Sequence, residues 1–309
     1  VCSRLGSSPR WSTSPLRHCT SQAPWPCAHM ACCPPGSAPY LALDYACLGS
    51  VELADDVQYY HVGTGSVGLL VLPDVFGWNG GRTRALADEF AKRGLNVFLP
   101  KMLPPVEGGT DDDGLPPSFD NVRRSSEIVA LLAGAWGAAH AMPKLQATVA
   151  AMRAAGVRKF GIFGLCYGAW VGFHLSSIVG GDELVCGASP HPSVHAELAV
   201  GGDPAALAAK CGCPWALYPC GVPGRPGGDP GMYDADGAVF MKLEERFPGQ
   251  NRTRRITAMA HGFVSRGVIA GSQLAEDKAE QIKAAIRDCI DDVAAYFQAQ
   301  GLMPGESKL

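Results

Sequence analysis

The chain is poor in charge. Only 18% of its 309 residues are Asp, Glu, Lys or Arg, and the formal net charge is -3. No stretch is basic enough to form a nucleic-acid surface, so nucleic acid is not expected as a partner. Long hydrophobic runs are missing too. The longest, such as Val67 to Pro73, fall far short of the ~20 residues of a membrane span, and no membrane partner is expected. Regular cysteine spacing is absent: the 12 cysteines are scattered, whereas a secreted disulfide scaffold is shorter and denser in cysteine. The C-x-C spacing of Cys211 and Cys213, with Cys220 nearby, fits no standard zinc pair; no metal and no organic cofactor is expected. No internal repeat is evident.

Acidic residues are absent from positions 1–29, which are rich in Ser, Pro and Arg. That composition suits either an organellar transit peptide or sequence upstream of a true start at Met30, and the second reading is preferred. Residues 1–45 are therefore expected to form a disordered N-terminal segment. A single domain should occupy 46–300, and 301–309 a flexible tail.

Within the domain, 47% hydrophobic content is laid out as alternating strands and helices. Val67 to Leu72 is a continuous apolar run bounded by Gly65 and Pro73, which reads as a buried parallel strand. Residues 81–93 have helical spacing and end at Gly94. Further strands are expected at 96–99, 157–163, 184–188, 215–218 and 253–259. Helices are expected at 120–155 (broken at Pro143), 167–178, 237–247 and 272–299. Such alternation implies an α/β fold with a mainly parallel central sheet and helices on both faces. Function in such sheets sits at the carboxyl ends of the strands.

One of those ends reads Gly164-Leu165-Cys166-Tyr167-Gly168. A strand leads in and a helix leads out, as in the strained turn that carries an α/β-hydrolase nucleophile, here with Cys instead of Ser. The strained backbone needs small neighbours two residues away on each side, and the glycines meet that need. The N–H groups of the following helix would favour a thiolate and hold an oxyanion. A buried Cys in an ordinary strand–helix turn could show the same five residues, so partners matter. The base should follow the last strand, where His261 stands. The acid should follow strand 215–218, where Asp229, Asp234 and Asp236 share a long loop; Asp229 is preferred and Asp234 stays open. Asp74 ends the first buried strand. It is either a turn-capping residue or a charge aimed at the site. His191 and His195 follow strand 184–188 and could line the site.

Several separated blocks together resemble the dienelactone hydrolase family: CCPPGS at 32–37, PDVFGWNGGRTRALAD at 73–88, GLCYG at 164–168, HPS at 191–193 and HGFVSRG at 261–267. The resemblance runs from about Met30 to residue 300. It implies an α/β-hydrolase fold without a large lid domain, and a Cys–His–Asp triad carried onto Cys166, His261 and Asp229. It implies an oxyanion hole from the backbone N–H groups of Tyr167 and Val75, and Asp74 as an acid that modulates the thiol. Arg266 matches a family arginine that can face a substrate carboxylate, and Trp78 and His191 are the other expected substrate contacts. The family's second arginine has no clear match.

The expected activity is hydrolysis of a lactone, ester or thioester through an acyl-enzyme. A carboxylesterase or thioesterase acting on an unrelated small substrate, or a non-catalytic binding protein that keeps the pocket, are the alternatives. The expected partner is a small-molecule ester or lactone, bound by a monomer or homodimer. The last residues, Ser307-Lys308-Leu309, form a peroxisomal address that an import receptor would read, so a peroxisomal or cytoplasmic location is expected.

Overall fold

The computed structural model describes Cys33 and residues 45–109, 113–121, 123–266 and 276–303. The remainder of the expected N-terminal segment and the Ser307-Lys308-Leu309 address lie outside the described residues. Eight strands form one sheet: β1 (Ser50–Ala54), β2 (Val57–Val62), β3 (Val67–Leu72), β4 (Asn96–Pro100), β5 (Lys159–Gly164), β6 (Leu184–Pro190), β7 (Trp215–Tyr218) and β8 (Arg252–Thr253). Their spatial order is β1-β2-β4-β3-β5-β6-β7-β8. The pairs β1–β2 and β2–β4 are antiparallel, and every other pair is parallel.

The helices are α1 (Thr83–Lys92), α2 (Ser125–Ala133), α3 (Ala138–Ala154), α4 (Tyr167–Ser176), α5 (Pro204–Ala208), α6 (Ala238–Arg246), α7 (Phe263–Arg266) and α8 (Glu276–Ala299). Side chains alternate across a strand, and the sheet's apolar strands feed two cores. Leu70, Leu72, Phe98 and Ile162 pack on one face with residues of α2 to α6. Leu69, Val71, Val97 and Phe163 pack on the other with residues of α1 and α8. Burial on both faces explains why β3 reads as an unbroken apolar run rather than an alternating one. No single described helix is long and apolar enough to cross a membrane.

Three expectations need correction. The sheet begins earlier than residue 67, with the β1–β2 hairpin, whose two-residue turn Asp55-Asp56 puts Asp55 at φ 50°. The break in the 120–155 helix falls at Gly134–Gly137, not at Pro143, which lies inside α3. Pro143 follows the helix start closely, so its missing N–H leaves only one early carbonyl without its helical donor. The strand expected over 253–259 shrinks to β8, after which Ile256 makes one isolated bridge to Cys220.

Candidate active site

The turn between β5 and α4 is strained at its centre. Cys166 has φ 51° and ψ -112° and is one of three described non-glycine residues with positive φ. The flanking glycines are sterically required. A Cβ at Gly164 would lie 2.8 Å from Ala169 N, and one at Gly168 would lie 2.2 Å from the Leu72 carbonyl oxygen. Neither neighbour can yield, because both are backbone. Gly168→Ala is therefore expected to cost about 3 kcal/mol and to displace the elbow, measured as a fall in thermal unfolding midpoint together with lost thiol reactivity at Cys166.

Helix α4 starts directly after the cysteine, and nine of its ten residues are buried. Its first residue is held by the Tyr167 hydroxyl, which donates to the Trp136 carbonyl at 2.9 Å. The Cys166 sulfur accepts a hydrogen bond from Ser193 Oγ at 3.3 Å. Ser193 also anchors the elbow through its backbone N–H, which donates to the Cys166 carbonyl at 3.2 Å. The HPS block carries this residue, but nothing in its local pattern assigned Ser193 a part.

His261 and Asp229 meet behind the thiol. Nδ1 of His261 is 2.6 Å from Asp229 Oδ1, and both side chains are fully buried. The other carboxylate oxygen of Asp229 accepts the Cys220 N–H at 2.7 Å. With Nδ1 committed to Asp229, the imidazole turns Nε2 toward the sulfur: Nε2 and the Cys166 and Cys33 sulfurs all lie within 4.8 Å of one another. Burial pulls the His261 pKa down, but the Asp229 carboxylate and the Cys166 sulfur outweigh it. The net direction is well above the ordinary histidine value.

Asp234, the open alternative in the sequence, goes elsewhere. It pairs with Arg255 at 2.7 Å. The same guanidinium donates to the carbonyls of Cys220, Asp229 and Pro230 at 2.9, 3.1 and 3.0 Å. Arg255 thereby clasps both ends of the loop that delivers Asp229, a positioning role the sequence did not signal. The backbone completes the clasp, with His261 N donating to Gly227 O at 2.8 Å.

Asp74 and Arg266 form a second buried group. Arg266 Nε is 3.1 Å from Asp74 Oδ2, which also accepts from Ser265 Oγ at 2.7 Å. Asp74 Oδ1 accepts the Phe76 N–H at 2.9 Å, so the turn-capping and site-facing readings of Asp74 are both met by one carboxylate. Arg266 also lies over the Phe76 ring, 5.1 Å from its centroid. Its Nη2 is 3.6 Å from Cys33 Sγ, and that sulfur is 3.6 Å from Cys166 Sγ. Cys33 has no exposure, and the sequence gave no reason to place it there.

His191 stands beside the pair, its ring centroid 5.0 Å from that of His261. It is fully buried, adopts φ 43°, and neither ring nitrogen has a hydrogen-bond partner. Burial, then the nearby His261 and Arg266 cations, push its pKa well down, so its imidazole is neutral. His195 is held instead by the Tyr233 hydroxyl at 2.8 Å. Trp78 packs under Arg84, 4.6 Å from ring centroid to guanidinium carbon, and its backbone N–H donates to Asp113 at 2.7 Å. Cys211, Cys213 and Cys220 are each buried. Among the described residues the cluster with metal-ligand spacing is Cys33, Cys166 and His261, not these three.

This geometry can be set beside known proteins. Residues 58–201 match the model of the dienelactone hydrolase family. Comparison with curated protein sequences gives no match. A Klebsiella pneumoniae protein provisionally described as a dienelactone hydrolase is similar in structure, with a TM-score of 0.54 at 12% identity, over 80% of this chain and 99% of its own. A Pyrococcus furiosus esterase gives 0.51 at 12% identity, over 85% and 97%. A Pyrococcus horikoshii acylaminoacyl peptidase gives 0.52 at 12% identity, over 89% of this chain and 43% of the peptidase. At such identities these likenesses speak for the fold, an eight-stranded α/β-hydrolase sheet without a large extra domain. The chain belongs to the dienelactone hydrolase family of α/β-hydrolases.

Proposed function

We propose that this hydrolase cleaves a carboxylic ester, lactone or thioester of a small molecule through a Cys166 acyl-enzyme. The observation that carries the reading is the strained Cys166 elbow with the His261–Asp229 pair, joined at 2.6 Å, behind it. In this reading the Cys166 thiolate attacks the carbonyl carbon. The N–H groups of Tyr167, at the start of α4, and Val75, after β3, hold the developing oxyanion. His261 carries a proton to the leaving oxygen or sulfur, then takes one from the water that releases the acid. Asp229 fixes the Nδ1–H tautomer and balances the imidazolium. Ser193 steadies the sulfur, and neutral His191 offers a polar ring to the substrate. Arg266 would bind a substrate carboxylate only by sharing its guanidinium with Asp74.

The first test is chemical. Iodoacetamide should label Cys166 at neutral pH at least ten times faster in the native chain than in His261→Ala, since a thiolate reacts and a thiol does not. Peptide mass spectrometry reads the site. Equal slow rates in both proteins would sink the thiolate–imidazole reading. Fast labelling would be followed by a screen of lactones, aryl esters and thioesters for turnover.

A further inference from the structure

The contact between Cys33 and Cys166 carries a consequence beyond hydrolysis. A 3.6 Å separation between two sulfurs is by itself an ordinary packing distance. Three further features set this pair apart. His261 Nε2 lies within 4.8 Å of both sulfurs and is a fully buried nitrogen without a hydrogen-bond partner. Its other nitrogen is fixed by a carboxylate at 2.6 Å, the outer-shell arrangement that orients histidine on a metal. All three ligand-bearing residues are fully buried.

We propose that Cys33, Cys166 and His261 form a three-ligand site for a soft divalent cation of the zinc class, which holds the enzyme off when filled. Two zinc–sulfur bonds of about 2.3 Å at a tetrahedral angle place their sulfurs about 3.7 Å apart, close to the distance already present. A disulfide would need the sulfurs to close to about 2 Å. Two thiolates and an imidazole are soft donors that select zinc-like ions over magnesium or calcium. The electrostatics agree. Arg266 is the positive group beside Cys33, but Asp74 holds it at 3.1 Å, and Asp229 adds a negative charge behind His261. With both thiols ionised the pocket is left strongly negative, and a dication balances it. Binding releases the thiol protons to solvent, with no change of oxidation state. The fourth tetrahedral position is left to water or a small anion.

The ligand set stands on the geometry alone. Only the loss of turnover rests on the hydrolytic reading, and the test separates the two. Reduced, chelator-treated full-length chain is titrated with Co2+, whose thiolate charge-transfer absorption reports sulfur ligation without any activity measurement. One equivalent per chain should give the band, and Zn2+ should abolish it by displacement. In Cys33→Ala the apparent Co2+ affinity should fall at least tenfold, while Cys47→Ala, at an exposed cysteine, should behave as the native chain. In the unmutated protein, one equivalent of Zn2+ should slow iodoacetamide labelling of both Cys33 and Cys166 at least tenfold, so the test survives a variant that fails to fold. The site is refuted by a band that persists in Cys33→Ala, by no band at one equivalent, or by zinc that protects neither cysteine. Cobalt bound as described in a chain that turns over no ester would uphold the site and sink the hydrolase. Where turnover is found, Zn2+ should remove it and a chelator restore it.

Discussion

Cys166→Ala is expected to lower ester or thioester turnover on the order of a thousandfold or more, because the acyl-enzyme then has no atom to form on. The fold should survive. The side chain removed is a single sulfur, the strained backbone at φ 51° is held by glycine sterics on both sides rather than by the thiol, and the Ser193 backbone bond to the Cys166 carbonyl remains. The lost contact is the 3.3 Å hydrogen bond from Ser193 Oγ to the sulfur, worth about 1 kcal/mol. Circular dichroism melting should therefore shift by only a few degrees while turnover of an activated thioester collapses. Asp229→Asn should fall between the two proteins. It keeps the space filled but loses the charge that balances an imidazolium, and its amide would face Nδ1 in place of a carboxylate oxygen. Unchanged turnover in Cys166→Ala would end the nucleophile reading, whatever the elbow looks like.

The elbow was legible in the sequence because its constraint is local. Two glycines around Cys166 answer to backbone collisions within one turn, and the strand before it and helix after it announce themselves by composition. His261 was legible by position, since it follows the last parallel segment. The choice between Asp229 and Asp234 was not. Both sit in one glycine- and proline-rich loop, and what separates them is Arg255, which reaches back from beyond β8 to bind Asp234 and three loop carbonyls. That decision is made by a contact about twenty residues away in sequence, which no local pattern encodes. The β1–β2 hairpin escaped for a different reason. Its outer strand is a sheet edge with Val51 and Leu53 exposed, so the alternation that marks a half-buried strand is blurred, and its Asp55-Asp56 turn lacks the glycine that usually signals such hairpins. Cys33 escaped because a cysteine in a proline-rich stretch carries no signal of what it will touch. Its burial against Cys166 and Arg266 is a tertiary fact. Asp113 is similar: it receives the N–H groups of Trp78 and Leu103, both at 2.7 Å, and so ties the segment after β3 to the segment after β4 across the active edge.

Asp74→Ala should be the most destabilising of the single substitutions at the site, by about 3–5 kcal/mol, the usual cost of stranding one partner of a buried ion pair. Arg266 is only 1% exposed and has no route to water once its carboxylate is gone. The Phe76 N–H and the Ser265 hydroxyl lose their acceptor at the same time. Its face contact with the Phe76 ring compensates a small part, about 1–2 kcal/mol for a desolvated cation–π contact. The double variant Asp74→Ala/Arg266→Met removes the stranded charge and keeps most of the arginine's volume, so at least half of the lost stability should return. Urea unfolding midpoints at constant slope measure both. If the two substitutions simply add, the pair is not coupled and the charge argument fails. Thiol reactivity discriminates further. With Asp74 gone, Arg266 acts unbalanced on the sulfur of Cys33 at 3.6 Å and, through it, on Cys166, which favours thiolate. Iodoacetamide labelling of Cys166 should therefore rise severalfold in Asp74→Ala and fall back in the double variant. A rate indifferent to both changes would leave Asp74 as a cap on the turn after β3 and remove it from the control of the thiol.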